Sequence, residues 1–158
     1  MHYNTQYYFK SFELPNRKVI NDIYFLGTDG GRKEKIGSLY EQFQKMQLKT
    51  DMHIVTDSID PADSYYALLQ KDKVSYEENL ERIAQSKAVL EVLREGQTGQ
   101  TLRALECLFY RKKLITNDKR VEQYEYYNKD NIFIIGKDDF DTLPVSYTHL
   151  TLPTKLEV

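Results

Sequence analysis

Residues 94–116, REGQTGQTLRALECLFYRKKLIT, decide the fold class. They follow an apolar run, residues 88–93, and begin with two glycines, Gly96 and Gly99, set among small polar residues. An amphipathic run comes next at Leu102, Leu105 and Phe109, spaced three and four apart, and then a second strand-like run over residues 113–116. Strand, flexible polar turn, helix start and strand, in that order, place unpaired backbone N–H groups at a helix N-terminus. The helix dipole favours an anion there, most often a phosphate.

The same alternation extends in both directions. Residues 22–26 (DIYFL) form the first convincing strand, broken by Gly27-Thr28-Asp29-Gly30-Gly31. Ile36, Leu39, Tyr40, Phe43 and Met46 then mark one face of a helix. Residues 51–56 read as a second strand, followed by a polar loop with Pro61 and a short third strand over residues 67–69. Ser75 with Glu78 three residues later is a capping box, opening a helix with Leu80, Ile83 and Ala84 inward. Further strands fall at 88–93, 113–116 and 131–135, with a helix over 99–110 capped by Thr98. Asp138, Asp139 and Asp141 suit the start of a terminal helix, where carboxylates match the dipole. Strands alternating with helices, without hairpin signals, predict an α/β fold: a mostly parallel sheet with helices on both faces. Residues 1–20 read as a lead-in and 21–144 as the domain.

The bulk numbers bound the function. A chain of 158 residues is one domain, and a net charge of −2 argues against a nucleic-acid binder. The single Cys107 excludes an intramolecular disulfide and a multi-cysteine zinc site. The three histidines, His2, His53 and His149, are far apart, so no metal is expected. No run approaches membrane-span length and no signal peptide is visible, which predicts a cytoplasmic protein without an integral membrane segment. The 13 tyrosines, with no tryptophan, suit half-buried sites and interfaces. Exposed aromatics between Met1 and Phe12 predict self-association.

Two loops leave strand ends and enter helices with glycine. The first, Gly27 to Lys33, carries Gly31, Arg32 and Lys33 at a helix start. Cations are disfavoured there by the dipole unless an anion lies between them, and a solvated Asp-Gly turn is the alternative. In the second loop, Gly99, Gln100, Thr101 and Leu102 supply the first-turn amides. The pattern is neither a Walker A loop nor a G-x-G-x-x-G fingerprint. Glu106 shares a face with Arg103 and Tyr110. It reads either as an Arg103–Glu106 surface pair or as an acceptor for a ligand's vicinal hydroxyls.

Residues 86–116, SKAVLEVLREGQTGQTLRALECLFYRKKLIT, resemble the nucleotide-sugar site of glycosyltransferases with two Rossmann-like domains, the GT-B fold. Glu95-Gly96 matches that family's acidic-glycine turn, Leu105-Glu106 its helical glutamate, and residues 113–116 the strand that follows. The opening run IYFLGTDGGRKEKI and the segment SYEENLERIAQSKA, which contains Tyr76, are similar to further parts of the same domain. The chain is also similar to bacterial proteins associated with capsule and lipopolysaccharide assembly, including CgeB-like glycosyltransferases. Two features depart from the pattern: Glu95 and Glu106 stand wider apart than usual, and Phe109-Tyr110-Arg111 replaces a small turn ending in glycine.

The resemblance implies a Rossmann-like three-layer sandwich, the donor-binding half of a GT-B enzyme. Its substrate is a nucleotide-diphosphate sugar, its chemistry is metal-independent, and its location is cytoplasmic, including the inner face of the membrane. It implies a nucleotide-sugar site built from Gly27, Gly31, Arg32, Lys33, Tyr76, Gly99, Gln100, Thr101, Leu102 and Glu106. Glu95 would lie nearer the transferred sugar, as the candidate catalytic group. A missing N-terminal Rossmann domain would carry the acceptor, so this chain alone is expected not to turn over; a non-catalytic binding or scaffold module is the alternative. Residues 145–158, VSYTHLTLPTKLEV, resemble a translated sequencing-library adapter and are expected to be non-native, the alternative being an edge strand.

Overall fold

A computed structural model describes residues 13–143. The expectations for Met1 to Phe12 and for residues 145–158 lie outside them. The elements in chain order are β1 (Asn21–Thr28), α1 (Lys33–Lys45), β2 (Thr50–Val55), β3 (Leu69–Gln70), α2 (Tyr76–Ala84), β4 (Ser86–Glu91), α3 (Leu102–Phe109), β5 (Lys113–Thr116) and β6 (Ile132–Ile134). The six strands form one sheet in the order β3-β2-β1-β4-β5-β6, and every pair is parallel. With helices on both faces, this is a Rossmann-like three-layer sandwich.

Alternation along the central strands builds two cores. Ile23 and Phe25 point to the α1 face and meet Ile36, Leu39 and Phe43; Met52 and Ile54 of β2 join them. Tyr24 points the opposite way, with Val89, Leu114, Ile132 and Ile134, against Leu80 and Ile83 of α2 and Ala104 and Cys107 of α3. Each fully buried large apolar side chain contributes about 1.5–3 kcal/mol, so both faces are strongly specified. Gly37 inside α1 costs about 1 kcal/mol in helix propensity. The Tyr65 ring occupies the space where a Cβ would project, so the glycine brings this ring against the helix.

The structure corrects the reading of the decisive stretch. α3 begins at Leu102 and not at Gly99, whose φ of +92° is not helical. Thr101, not Thr98, is the N-cap, its side chain accepting from Ala104 N at 3.2 Å. The face is inverted as well: Ala104, Glu106 and Cys107 are buried, whereas Leu102 and Phe109 are 40% and 45% exposed. Ala104 and Cys107 pack against the sheet, and the polar Arg103–Glu106 pair turns inward with them. The third strand begins at Leu69, after a 3-10 turn over Tyr66–Leu68. Ser75 caps α2 as expected, accepting from Glu78 N at 3.1 Å, but the Glu78 carboxylate turns to Arg82 and does not complete the box. Asp139 caps a 3-10 turn, Phe140–Thr142, at the edge of the described residues. Among the described residues no helix is long and apolar enough to cross a membrane.

Candidate functional site

β1 leads to β2 on one side of the sheet, and its other neighbour β4 leads to β5 on the other. Where the winding direction reverses, the loops beyond the strand ends separate and leave a crevice, which is where open α/β sheets bind ligands. A cleft of about 620 Å³ lies there. Gly27, Thr28 and Arg32 line it from the β1 side, and Glu91, Arg94, Glu95, Thr101 and Arg103 from the β4 side.

Four of the residues expected from the sequence therefore meet in one place: Gly27, Arg32, Glu95 and Thr101. Gly27 admits the close approach of its neighbours, since a Cβ there would come within 2.9 Å of the Phe25 ring. The others are not in the lining. Lys33 forms an ion pair with Asp63, and its own amide donates to Asp29 Oδ1 at 3.2 Å. Gly31 has nothing within 4 Å of a built Cβ, and Gly99, Gln100 and Leu102 are exposed. Tyr76 and Glu106 share a side-chain hydrogen bond between α2 and α3.

Glu106 is 2% exposed and accepts from Arg103 Nη1 at 3.0 Å, so the pair is an interior one and not a surface pair. Burial raises the Glu106 pKa and Arg103 opposes the rise. The same Arg103 guanidinium donates to Asn79 Oδ1 at 3.1 Å and to the Leu26 carbonyl at 3.0 Å. Asn79 Oδ1 also accepts the Tyr24 hydroxyl at 2.9 Å. This buried network ties the end of β1 to α2 and α3, and through Arg103 and Leu26 it reaches the lining of the cleft.

Arg32 has a similar bracing role. It donates to the Val92 carbonyl, to the Thr28 carbonyl at 2.5 Å and to the Asp29 carbonyl at 3.3 Å, clamping the ends of β1 and β4 together. Burial lowers its pKa, and the neighbouring Arg94 charge lowers it further. Two cations that feel each other across a cleft lip are relieved by an anion between them.

Arg94 and Glu91 are the residues that the sequence reading missed. The Arg94 guanidinium donates to Thr28 Oγ1 at 2.7 Å and lies over Gly30, whose built Cβ would come within 2.5 Å of its Nε. Gly30 has φ +51°, so glycine serves both the turn and this contact. The loop carrying Arg94 is fixed to β5's end, with Leu93 N donating to Asn117 Oδ1 at 2.7 Å and Arg120 donating to the Gln97 carbonyl at 3.2 Å. Glu91, the last residue of β4, is only 7% exposed. It accepts the Thr101 hydroxyl on one oxygen and the Thr116 hydroxyl, at 2.5 Å, on the other. Burial raises its pKa and the two threonines hold it back. A lone carboxylate inside the apolar run 88–93 was the available signal for it.

Among the described residues no group of three or more His, Cys, Asp or Glu side chains converges as a metal-binding set. No protein-family model matches the sequence, and no curated protein or solved structure matches it. The chemistry of the cleft carries the functional reading.

Proposed function

We propose that the cleft between β1 and β4 binds the diphosphate of a nucleotide sugar, and that the chain is the donor-binding half of a GT-B-type glycosyltransferase. Capsule or lipopolysaccharide assembly at the cytoplasmic face is the setting that its resemblance supplies. The observation that carries the reading is the exposed Arg94 guanidinium in the lining of a crevice at the switch point of a Rossmann-like sheet, where Arg32, held on backbone carbonyls, and Arg103, paired with Glu106, also contribute to the lining. Guanidinium groups match phosphate oxygens in charge and in hydrogen-bond geometry. In a transfer reaction the same groups take up charge that develops on the departing nucleoside diphosphate. The acceptor and its base belong to a second domain, so this chain binds donor without turning it over.

A non-catalytic binding module is the second reading. It is favoured by Lys33 and Glu106, both already engaged by protein partners. Titration of the chain with UDP, GDP and CMP tests the proposal, with saturable binding of one of them expected. A folded protein that binds none would reject the donor-site reading and leave the module. Sugar transfer after supplying an N-terminal Rossmann-like domain would separate the enzyme from the module.

A further inference from the structure

We infer that Glu91 is the specificity-determining residue of the cleft: its carboxylate stands in for an anion at the start of α3 and accepts a hydroxyl or amine of the ligand, leaving the ligand's phosphate to Arg94. The identity of the ligand rests on the nucleotide-sugar reading; the exclusion of an anion from α3 does not.

The argument begins with the threonine between the carboxylate and the helix. Thr101 gives its only hydroxyl proton to Glu91, and the same oxygen accepts from Ala104 N at 3.2 Å. A hydroxyl has one proton, so Thr101 has none left to donate to a ligand. Glu91 therefore sits one hydroxyl away from the first turn of α3, at the positive end of the helix dipole. This is the position that a helix N-terminus offers to a phosphate, and the protein has filled it with its own negative charge. A second anion brought there meets a fixed charge in a half-enclosed site, where repulsion is far stronger than in water.

The remaining capacity of the carboxylate points the same way. Its two oxygens accept about four hydrogen bonds in all. Thr101 and Thr116 supply one to each oxygen. What is left on the cleft side calls for a donor, which a sugar hydroxyl or an amine provides and a phosphate oxygen does not. From the β4 side the Arg94 guanidinium reaches over to Thr28 of β1 and offers the complementary charge there. A ligand that bears both a phosphate and a hydroxyl-rich end thus has one direction in which to lie.

Calorimetric titration of the full chain with inorganic pyrophosphate and with UDP tests this. Glu91→Gln keeps the shape of the side chain and removes its charge. Pyrophosphate is expected to bind the variant at least about tenfold more tightly than the wild type, with UDP gaining less. Glu91→Thr, suited to a strand end, carries the same expectation if circular dichroism shows the glutamine variant unfolded. Pyrophosphate affinity that is unchanged or weaker in the folded variant overturns the assignment. UDP binding to the wild type without that gain overturns the Glu91 assignment alone. A pyrophosphate gain when UDP does not bind the wild type supports the Glu91 assignment and removes the nucleotide reading.

Discussion

The loops that follow β1 and β4 have similar compositions and opposite uses. Each has glycines at positive φ, Gly30 and Gly31 in one and Gly96 and Gly99 in the other, and each carries an arginine. Arg32 in the first turns back on the protein, with three backbone carbonyls as acceptors. Arg94 in the second is exposed and leans on Thr28 Oγ1 and Gly30. One cation braces the cleft and the other faces into it. A cation beside a glycine turn marks an anion site only after its protein acceptors have been counted, because a guanidinium that spends three of its five donors on the protein has few left for a ligand.

Truncating the brace should have the largest effect. Arg32→Ala leaves the Val92 and Thr28 carbonyls without this donor. A loss of about 2–3 kcal/mol in urea unfolding is expected, the upper part of the range for hydrogen bonds to a charged group. Arg94→Ala should leave stability within about 0.5 kcal/mol while weakening UDP binding by about 1.5–3 kcal/mol. Equal destabilisation by the two variants would erase the contrast between the loops. Gly30→Ala sharpens it at intermediate size: φ +51° and the close Arg94 guanidinium predict about 1 kcal/mol of destabilisation. Its affinity for UDP should fall with it, because Arg94 must move aside.

The smallest effect is a pH dependence. Burial raises the Glu91 pKa above its ordinary 4.5. The stability associated with the protonated form is therefore complete below the unfolded value and is lost as pH rises through the folded one. Glu91→Gln removes this dependence, so its stability relative to the wild type should improve as pH rises from the ordinary 4.5 through the raised folded value. Glu106 shifts in the same direction and cancels in the difference. Asp51 also cancels: burial raises its pKa, but His53 and Arg82 together outweigh burial and lower it. A difference between variant and wild type that is flat across this range would show that Glu91 is not strained by its burial.

Local pattern sufficed for part of the molecule. The inward face of α1 at Ile36, Leu39 and Phe43, the Ser75 cap of α2 and the strand at Lys113–Thr116 were all legible. In each case the signal and the structure it specifies lie within one or two turns of the chain. The ends of α1 and α3 carried no such signal, because Gln47 and Arg111 adopt φ +59° and +57° where glycine is usual. The inverted face of α3 was also hidden, since its apolar period is equally satisfied by the exposed Leu102 and Phe109.

The sequence by itself determined the alternation of strands and helices, and with it the α/β class, because periodicity of two or 3.6 acts over a few residues. Only the tertiary structure decided the strand order, the lining of the cleft and the assignment of each arginine. Those depend on partners far apart in the chain: Arg32 with Val92, 60 residues on, and Arg103 with Leu26, 77 residues back. A charged side chain's role follows from which acceptors the folded sheet brings to it, and that is a property of the assembled strands.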